Sequence, residues 1–234
     1  MSFRLFGFPT HVQFGFWLIA VFLGQGALEG PHKYLVVVWI AVVFVSILVH
    51  ELGHAFAMRR YGMQPEITRH MMGGLTAAHG MGRLSRPQRI FVSAAGPLAG
   101  FALAALVWLL VTFVPALAEV PARDASAGAV SLAYAIDSLW WVNLVWGVFN
   151  LIPVLPLDGG HILEDALGPK RQKLSATISM ALGATVVLWS VAQTPPRWWI
   201  ALIFGLAAFH SYQRFRAASA QSPAAKAAPR APVE

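Results

Sequence analysis

Cysteine is absent from this chain of 234 residues. That excludes a disulfide framework and any thiolate metal site, so a bound metal would need histidine and carboxylate. Charge is scarce as well. Asp, Glu, Lys and Arg make up 12% of the residues, against about 25% in soluble domains. The stretch 34–49, YLVVVWIAVVFVSILV, carries none. In their place stand 57% hydrophobic residues, nine Trp and fifteen Phe, with a mean hydropathy of +0.62. This is the composition of an integral membrane protein with the lipid bilayer as its solvent. A formal net charge of +7 would suit nucleic acid. The basic residues are scattered at the ends of apolar segments instead, so no nucleic-acid partner is expected.

A helix needs about 20 apolar residues to span a bilayer. Six candidates follow: Val12 to Leu28, Tyr34 to Met58, Gln88 to Val114, Leu132 to Leu151, Leu174 to Ala192, and Trp198 to Tyr212. No small-residue cleavage site follows the first, which reads as an uncleaved anchor. Of the 17 Lys and Arg, only Lys33, Arg123 and Arg197 fall in segments assigned outside. The excess of positive charge on the other side predicts cytoplasmic termini, in a membrane such as the bacterial inner membrane. Between the second and third spans, Ile67 to Met71 and Leu75 to Ala78 read as short strands around Gly73-Gly74, or as a loop. The expected fold is an all-α polytopic membrane protein of about six transmembrane helices. A small β-hairpin or sheet lies between the second and third. Residues 1–216 form the core, and 217–234, Ala/Pro-rich and polar, form a disordered cytoplasmic tail.

The second span delivers His50-Glu51-Leu52-Gly53-His54. On a helix, positions i and i+4 share a face, so two imidazoles can close on one zinc ion. Glu51 can lean to the same side and accept a proton from a water there. Two buried histidines satisfied by carbonyls would be the plain alternative, but it leaves Glu51 without a role. Ionisable groups at membrane depth are costly and mark function.

Two histidines call for a third ligand. In the stretch 150–161, NLIPVLPLDGGH, Pro153 and Pro156 must end the fourth helix. Irregular backbone at membrane depth is tolerated only where it is buried in protein or lines a cavity. Asp158 stands at this break, and Gly159-Gly160 allow a tight bend after it. Asp158 could instead cap the next helix; ligation is the favoured reading. His161 is a fallback ligand.

His50-Glu51-x-x-His54 on one membrane helix, with Asn150-x-x-Pro153-x-x-Pro156-Leu157-Asp158-Gly159-Gly160 on a later one, resembles the site-2 protease family of intramembrane zinc metalloproteases. Ser93-Ala-Ala-Gly96-Pro97 and the Gly73-Gly74 segment are similar to the family pattern too. The resemblance implies zinc held by His50, His54 and Asp158, Glu51 as general base, and a transmembrane protein as substrate. It also implies that Asn150 assists near the reacting carbonyl, where an amide N–H can donate to a developing oxyanion. Asn143, seven residues earlier, is assigned an interhelical hydrogen bond instead. The chain resembles a short form without the PDZ or CBS domains of some relatives.

The function so read is hydrolysis of a peptide bond in or near a transmembrane segment. A metal-ion or proton-coupled transporter is the alternative, since broken helices and midplane carboxylates are transporter features too. An unwound substrate needs backbone partners, and a strand edge supplies them without demanding a side-chain sequence. Residues Met72 to Thr76, with Gly73, Gly74 and Leu75 at their centre, are the expected substrate-binding strand.

Overall fold

The fold is seen in a computed structural model that describes residues 1–70, 73–78, 84–117 and 125–220. Its contacts group into two compact units. One comprises Met1–Ser85 and Ala94–Phe149, the other Arg86–Ser93 and Asn150–Glu234.

The first unit opens with strands the sequence reading did not anticipate. β1 (Ser2–Leu5) and β2 (Phe8–Val12) form a hairpin, with Leu5 opposite Phe8. The turn residues Phe6 (φ 49°) and Gly7 (φ 86°) are both left-handed, the requirement of a type I′ connection. Phe in place of the usual Asn or Asp hid this turn from sequence inspection. Arg59 fixes it, donating from Nη1 to the Phe6 carbonyl at 3.1 Å with its guanidinium 4.6 Å above the Phe8 ring. β3 (Pro65–His70) and β4 (Gly73–Ala78) complete a four-stranded sheet in the order β1-β2-β3-β4. β2 runs parallel to β3, and the other two pairings are antiparallel. The expected strands are therefore present, within a mixed sheet twice the expected size.

The parallel β2–β3 pairing has a topological consequence. β3 follows the helix α3 (Leu35–Arg60) closely, so β2 lies near the C-terminal end of that helix. The chain from Val12 must then travel back along α3 before α3 can begin. It does so in two pieces, α1 (Phe14–Leu23) and α2 (Gln25–Glu29). Val12, Phe16 and Ala20 pack with Val43 and Ile47 of α3. The expected first span is thus corrected to a broken one. Ten residues of α1 cover about 15 Å, half the hydrocarbon core. The break falls at Gly24, where any Cβ would strike the Trp39 ring. Trp39 Nε1 donates to the Ala20 carbonyl at 3.2 Å, capping the end of α1.

α4 (Arg86–Phe113) and α5 (Ala127–Asn150) follow. Within the first unit α3 and α4 approach through small residues, as membrane helices do. Gly53 faces the Ala95 carbonyl and the Ala99 methyl, with no room for a side chain. Asn143 takes the structural role expected of it. Its Nδ2 donates to Ser46 Oγ on α3 at 2.9 Å and to the Leu139 carbonyl at 2.8 Å.

The second unit holds α6 (Asp158–Leu167), α7 (Gln172–Val191) and α8 (Trp198–Ala220). α7 and α8 pack closely, Gly183 against Ala208 and the Phe204 carbonyl. Four stretches are long and apolar enough to cross a membrane: Leu35–Arg60, Arg86–Phe113, Ala127–Asn150 and Pro169–Val191. Among the described residues these coincide with the second to fifth of the six expected spans. The first candidate is broken, and α8 carries Arg214 and Arg216 in its second half. α8 also runs to Ala220, so 217–220 are helical. Met71, Met72 and residues 221–234 lie outside the described residues.

Candidate metal centre

α3 brings the two histidines together as the spacing requires. His50 Nε2 and His54 Nε2 are 3.2 Å apart, with ring planes at 80°. Both rings are buried, and so is Glu51 between them in sequence. Two nitrogens each bound to a tetrahedral zinc at 2.0–2.1 Å stand about 3.3 Å apart. The pair therefore fits one zinc ion with almost no movement.

The neighbouring helix makes the space. Gly96 of α4 lies against His54, and any Cβ there would overlap the ring, Nε2 first. The sequence pointed to Gly96 only as part of a resemblance. The missed physical signal was a glycine on the small-residue face of a helix that packs on the histidines.

In the second unit, α5 ends at Asn150, and the irregular segment 151–157 leads to Asp158. Asn150 is buried and Asp158 half-buried. The N-cap position of α6 falls on Leu157 (φ −66°, ψ 160°). Asp158 is therefore the first helical residue and not the cap, against the capping alternative. Gly159 and Gly160 are helical too, which corrects the expected bend. Their role is close approach: a Cβ on Gly159 would meet the Leu151 and Ile152 carbonyls, and one on Gly160 the backbone of Val154 and Leu155. The first turn of α6 lies flush on the broken segment that precedes it.

That segment exposes main-chain groups that no helix satisfies. Two buried hydroxyls meet them. Ser179 Oγ donates to the Pro153 carbonyl at 3.2 Å and faces the Leu155 N–H at 3.4 Å. Ser211 Oγ reaches the Leu155 carbonyl at 3.5 Å while donating to Ala207 in its own helix at 2.9 Å. Sequence reading missed both serines. Fully buried hydroxyls on apolar helices, paired with a proline-broken segment, are the signal that could have found them.

His161 follows Asp158 by one helical turn. Its side chain retains accessible surface, yet the surrounding protein desolvates the ring and lowers its pKa. Asp158 and Glu164 pull in the opposite direction, and Arg214 adds to the lowering. The net effect favours a neutral imidazole. As donors, His50, His54 and Asp158 offer two imidazole nitrogens and one carboxylate oxygen, a set suited to one metal ion. Gly73, Gly74 and Leu75 stand in β4, one of the two edge strands of the sheet.

The sequence matches the model of Peptidase family M50 over residues 38–136 and 116–191. The chain belongs to this family. The matched residues of this M50 chain include both histidines, Glu51, Asn150 and Asp158. A zinc metalloprotease of Methanocaldococcus jannaschii is 29% identical over 206 residues, 87% of this chain and 53% of that protein. A putative zinc metalloprotease of Mycobacterium tuberculosis is 34% identical over 204 residues, 79% of this chain and 48% of that protein. The M50 chain thus spans about half the length of these relatives. A second putative zinc metalloprotease from the same organism is 26% identical over 213 residues, covering 81% of this chain and 79% of its own. Among solved structures, the site-2 protease from Methanocaldococcus jannaschii superposes with a TM-score of 0.63 at 24% identity, covering 92% of this chain and 95% of that one. That likeness is one of fold, and it agrees with the family resemblance read from the motifs.

Proposed function

We propose that this chain is an intramembrane zinc metalloprotease. It hydrolyses a peptide bond in or near the transmembrane segment of a membrane-protein substrate, as in regulated intramembrane proteolysis. The observation that carries the reading is the buried pair of His50 and His54 with Nε2 atoms 3.2 Å apart, on a helix that also buries Glu51. A pair so placed at membrane depth has no structural use that would also require the carboxylate. The names of the relatives, a zinc metalloprotease of Methanocaldococcus jannaschii and a putative zinc metalloprotease of Mycobacterium tuberculosis, support it.

His50, His54 and Asp158 would hold the zinc. When bound, the ion supplies Lewis acidity that polarises the scissile carbonyl and acidifies water. Glu51 accepts the proton of the attacking water and returns it to the leaving amine. The Asn150 amide donates to the developing oxyanion. The β4 edge, through the segment around Gly73, Gly74 and Leu75, pairs with the unwound substrate backbone. Both termini face the cytoplasm and the host membrane is the bacterial inner membrane, as the basic residues favour.

The test is cleavage of a model single-span substrate by the protein in detergent. Expected are cleavage by wild type, loss with a chelator, recovery with zinc, and none with Glu51→Gln. A wild-type preparation that binds zinc and leaves every single-span substrate intact would overturn the reading. For topology, cysteines introduced at Ala77 and Ser126 should be labelled from the cytoplasmic and the opposite side respectively. Reversed labelling would overturn the orientation.

A further inference from the structure

We propose that Arg86 and Arg89, at the start of α4, are positioning residues for Asp158. They clamp the far end of the short helix whose first residue carries the third ligand. The inference rests on the reading of Asp158 as a ligand and deepens it.

α6 is a poor helix by itself. It has ten residues, two of its first three are glycines, and isolated helices below about 12–15 residues are marginal in water. Its N-terminal turn leans on the segment 151–155, and at its other end the Gly168 N–H closes on the Glu164 carbonyl at 2.9 Å, which leaves the Asp165 and Ala166 carbonyls to be met from outside the helix. Arg86 meets them. Its Nε donates to the Asp165 carbonyl at 3.1 Å and its Nη2 to the Ala166 carbonyl at 3.2 Å. One planar guanidinium thus spans two successive C-terminal carbonyls, where helices favour cations. Arg89 Nε adds an ion pair to Asp165 Oδ1 at 2.7 Å, a partly buried contact. From α8, Arg214 Nη2 meets Glu164 Oε2 at 2.7 Å.

Two further observations agree. Gly168 (φ 79°) ends α6, and any Cβ there would strike the Arg86 guanidinium. Glycine at this turn leaves the space that the guanidinium occupies. In addition, the segment Arg86–Ser93 groups by its contacts with α6, α7 and α8. Asp158 and Asp165 are seven residues apart, about 10 Å along the helix. Over that lever, play at the clamped end becomes displacement of the carboxylate.

The two arginines use different geometry, and this gives the test. The contact of Arg89 with Asp165, a single nitrogen to a single carboxylate oxygen, is one that lysine can imitate. Arg86 bridges two carbonyls, which a point charge cannot. The full chain in detergent is loaded with zinc, and release to a chelator is timed. The visible spectrum of the cobalt(II)-substituted protein is recorded alongside, and folding is checked by thermal melting. Arg86→Gln, Arg86→Lys and Arg89→Gln should each release zinc about tenfold faster, with an altered cobalt spectrum. Arg89→Lys should restore both readouts most of the way. If Arg89→Gln fails to fold, Asp165→Asn removes the same ion pair from the other side and should give the same result. Wild-type release and spectrum in folded Arg86 and Arg89 variants would overturn the clamp. The control is Asp158→Ala. Unchanged release there would instead overturn the ligand reading.

Discussion

Gly96 lies directly against the Nε2 edge of His54, and no Cβ fits between them. The nitrogen that faces His50 is the one the glycine leaves room for. In the interior of α4, alanine would by itself favour the helix by roughly 1 kcal/mol over glycine. Any loss in Gly96→Ala must therefore come through the displaced ring. Zinc affinity should fall about 10–100-fold, the usual effect of disturbing a ligand's support, with helix content unchanged. Competition with a chelator, beside circular dichroism, reads both. Wild-type affinity in a folded Gly96→Ala protein would mean that His54 can move without loss, and so that it is not a ligand.

Glu51 is buried one residue from His50. A glutamine amide in its place would keep the shape of the side chain but could not take a proton. Glu51→Gln should therefore retain zinc and lose cleavage by at least about 100-fold, within the range attributed to general acid–base groups. Metal content and cleavage are measured on one preparation. Loss of zinc with the substitution would make Glu51 a ligand and require a different base.

Asp158 and His161 sit one turn apart on α6, and either could serve as the third donor by chemistry alone. The lowered pKa of His161 favours its neutral imidazole, the form that can compete for a metal. Asp158 lies at the start of the helix, next to the broken segment fixed by Ser179 and Ser211. Asp158→Ala should lower both zinc occupancy and cleavage, whereas His161→Ala should keep most of its zinc. The opposite ranking in metal analysis would transfer the role.

The sequence was legible where one physical rule dominated. The charge-free run before His50 could only be a buried or membrane helix, and α3 runs from Leu35 to Arg60. The i, i+4 spacing fixed the histidine pair on one face. It failed where two rules competed. Phe14 to Leu23 is apolar enough to suggest a span; Gly24 is a local stop signal, but the Trp39 contact that ends α1 there is tertiary. The Phe6-Gly7 turn lacked the usual residues, so β1 and β2 went unseen and the start of the anchor was set too early. Gly159 and Gly160 read as a bend because glycine more often marks one. Their helical packing on 151–155 depends on backbone far too specific to infer. The supports of the site, Ser179, Ser211, Arg86 and Arg89, are distant in sequence from the residues they hold.

The last prediction concerns the strand edge offered to a substrate. β4 pairs with β3 in the register His70 with Gly73, Arg69 with Gly74, Thr68 with Leu75, and Ile67 with Thr76. A two-residue connection makes its flanking pair, His70 and Gly73, a hydrogen-bonded one. Alternation along an antiparallel ladder then turns the N–H of Leu75 inward to Thr68, and the N–H groups of Gly74 and Thr76 outward. β4 is one of the two edge strands, the other being β1, so these outward groups face no further strand of the sheet. Proline at position 75 would break the sheet itself, because it removes the inward donor. Proline at position 76 removes one outward donor and occupies the kind of site where edge strands tolerate it. Thr76→Pro should keep zinc and fold while lowering cleavage several-fold. Gly74→Val should do the same by crowding the approach. Leu75→Pro should lower the melting temperature as well. If Thr76→Pro and Gly74→Val are folded, zinc-loaded and fully active on a single-span substrate, the β4 edge does not hold the substrate and the unwound chain is paired elsewhere.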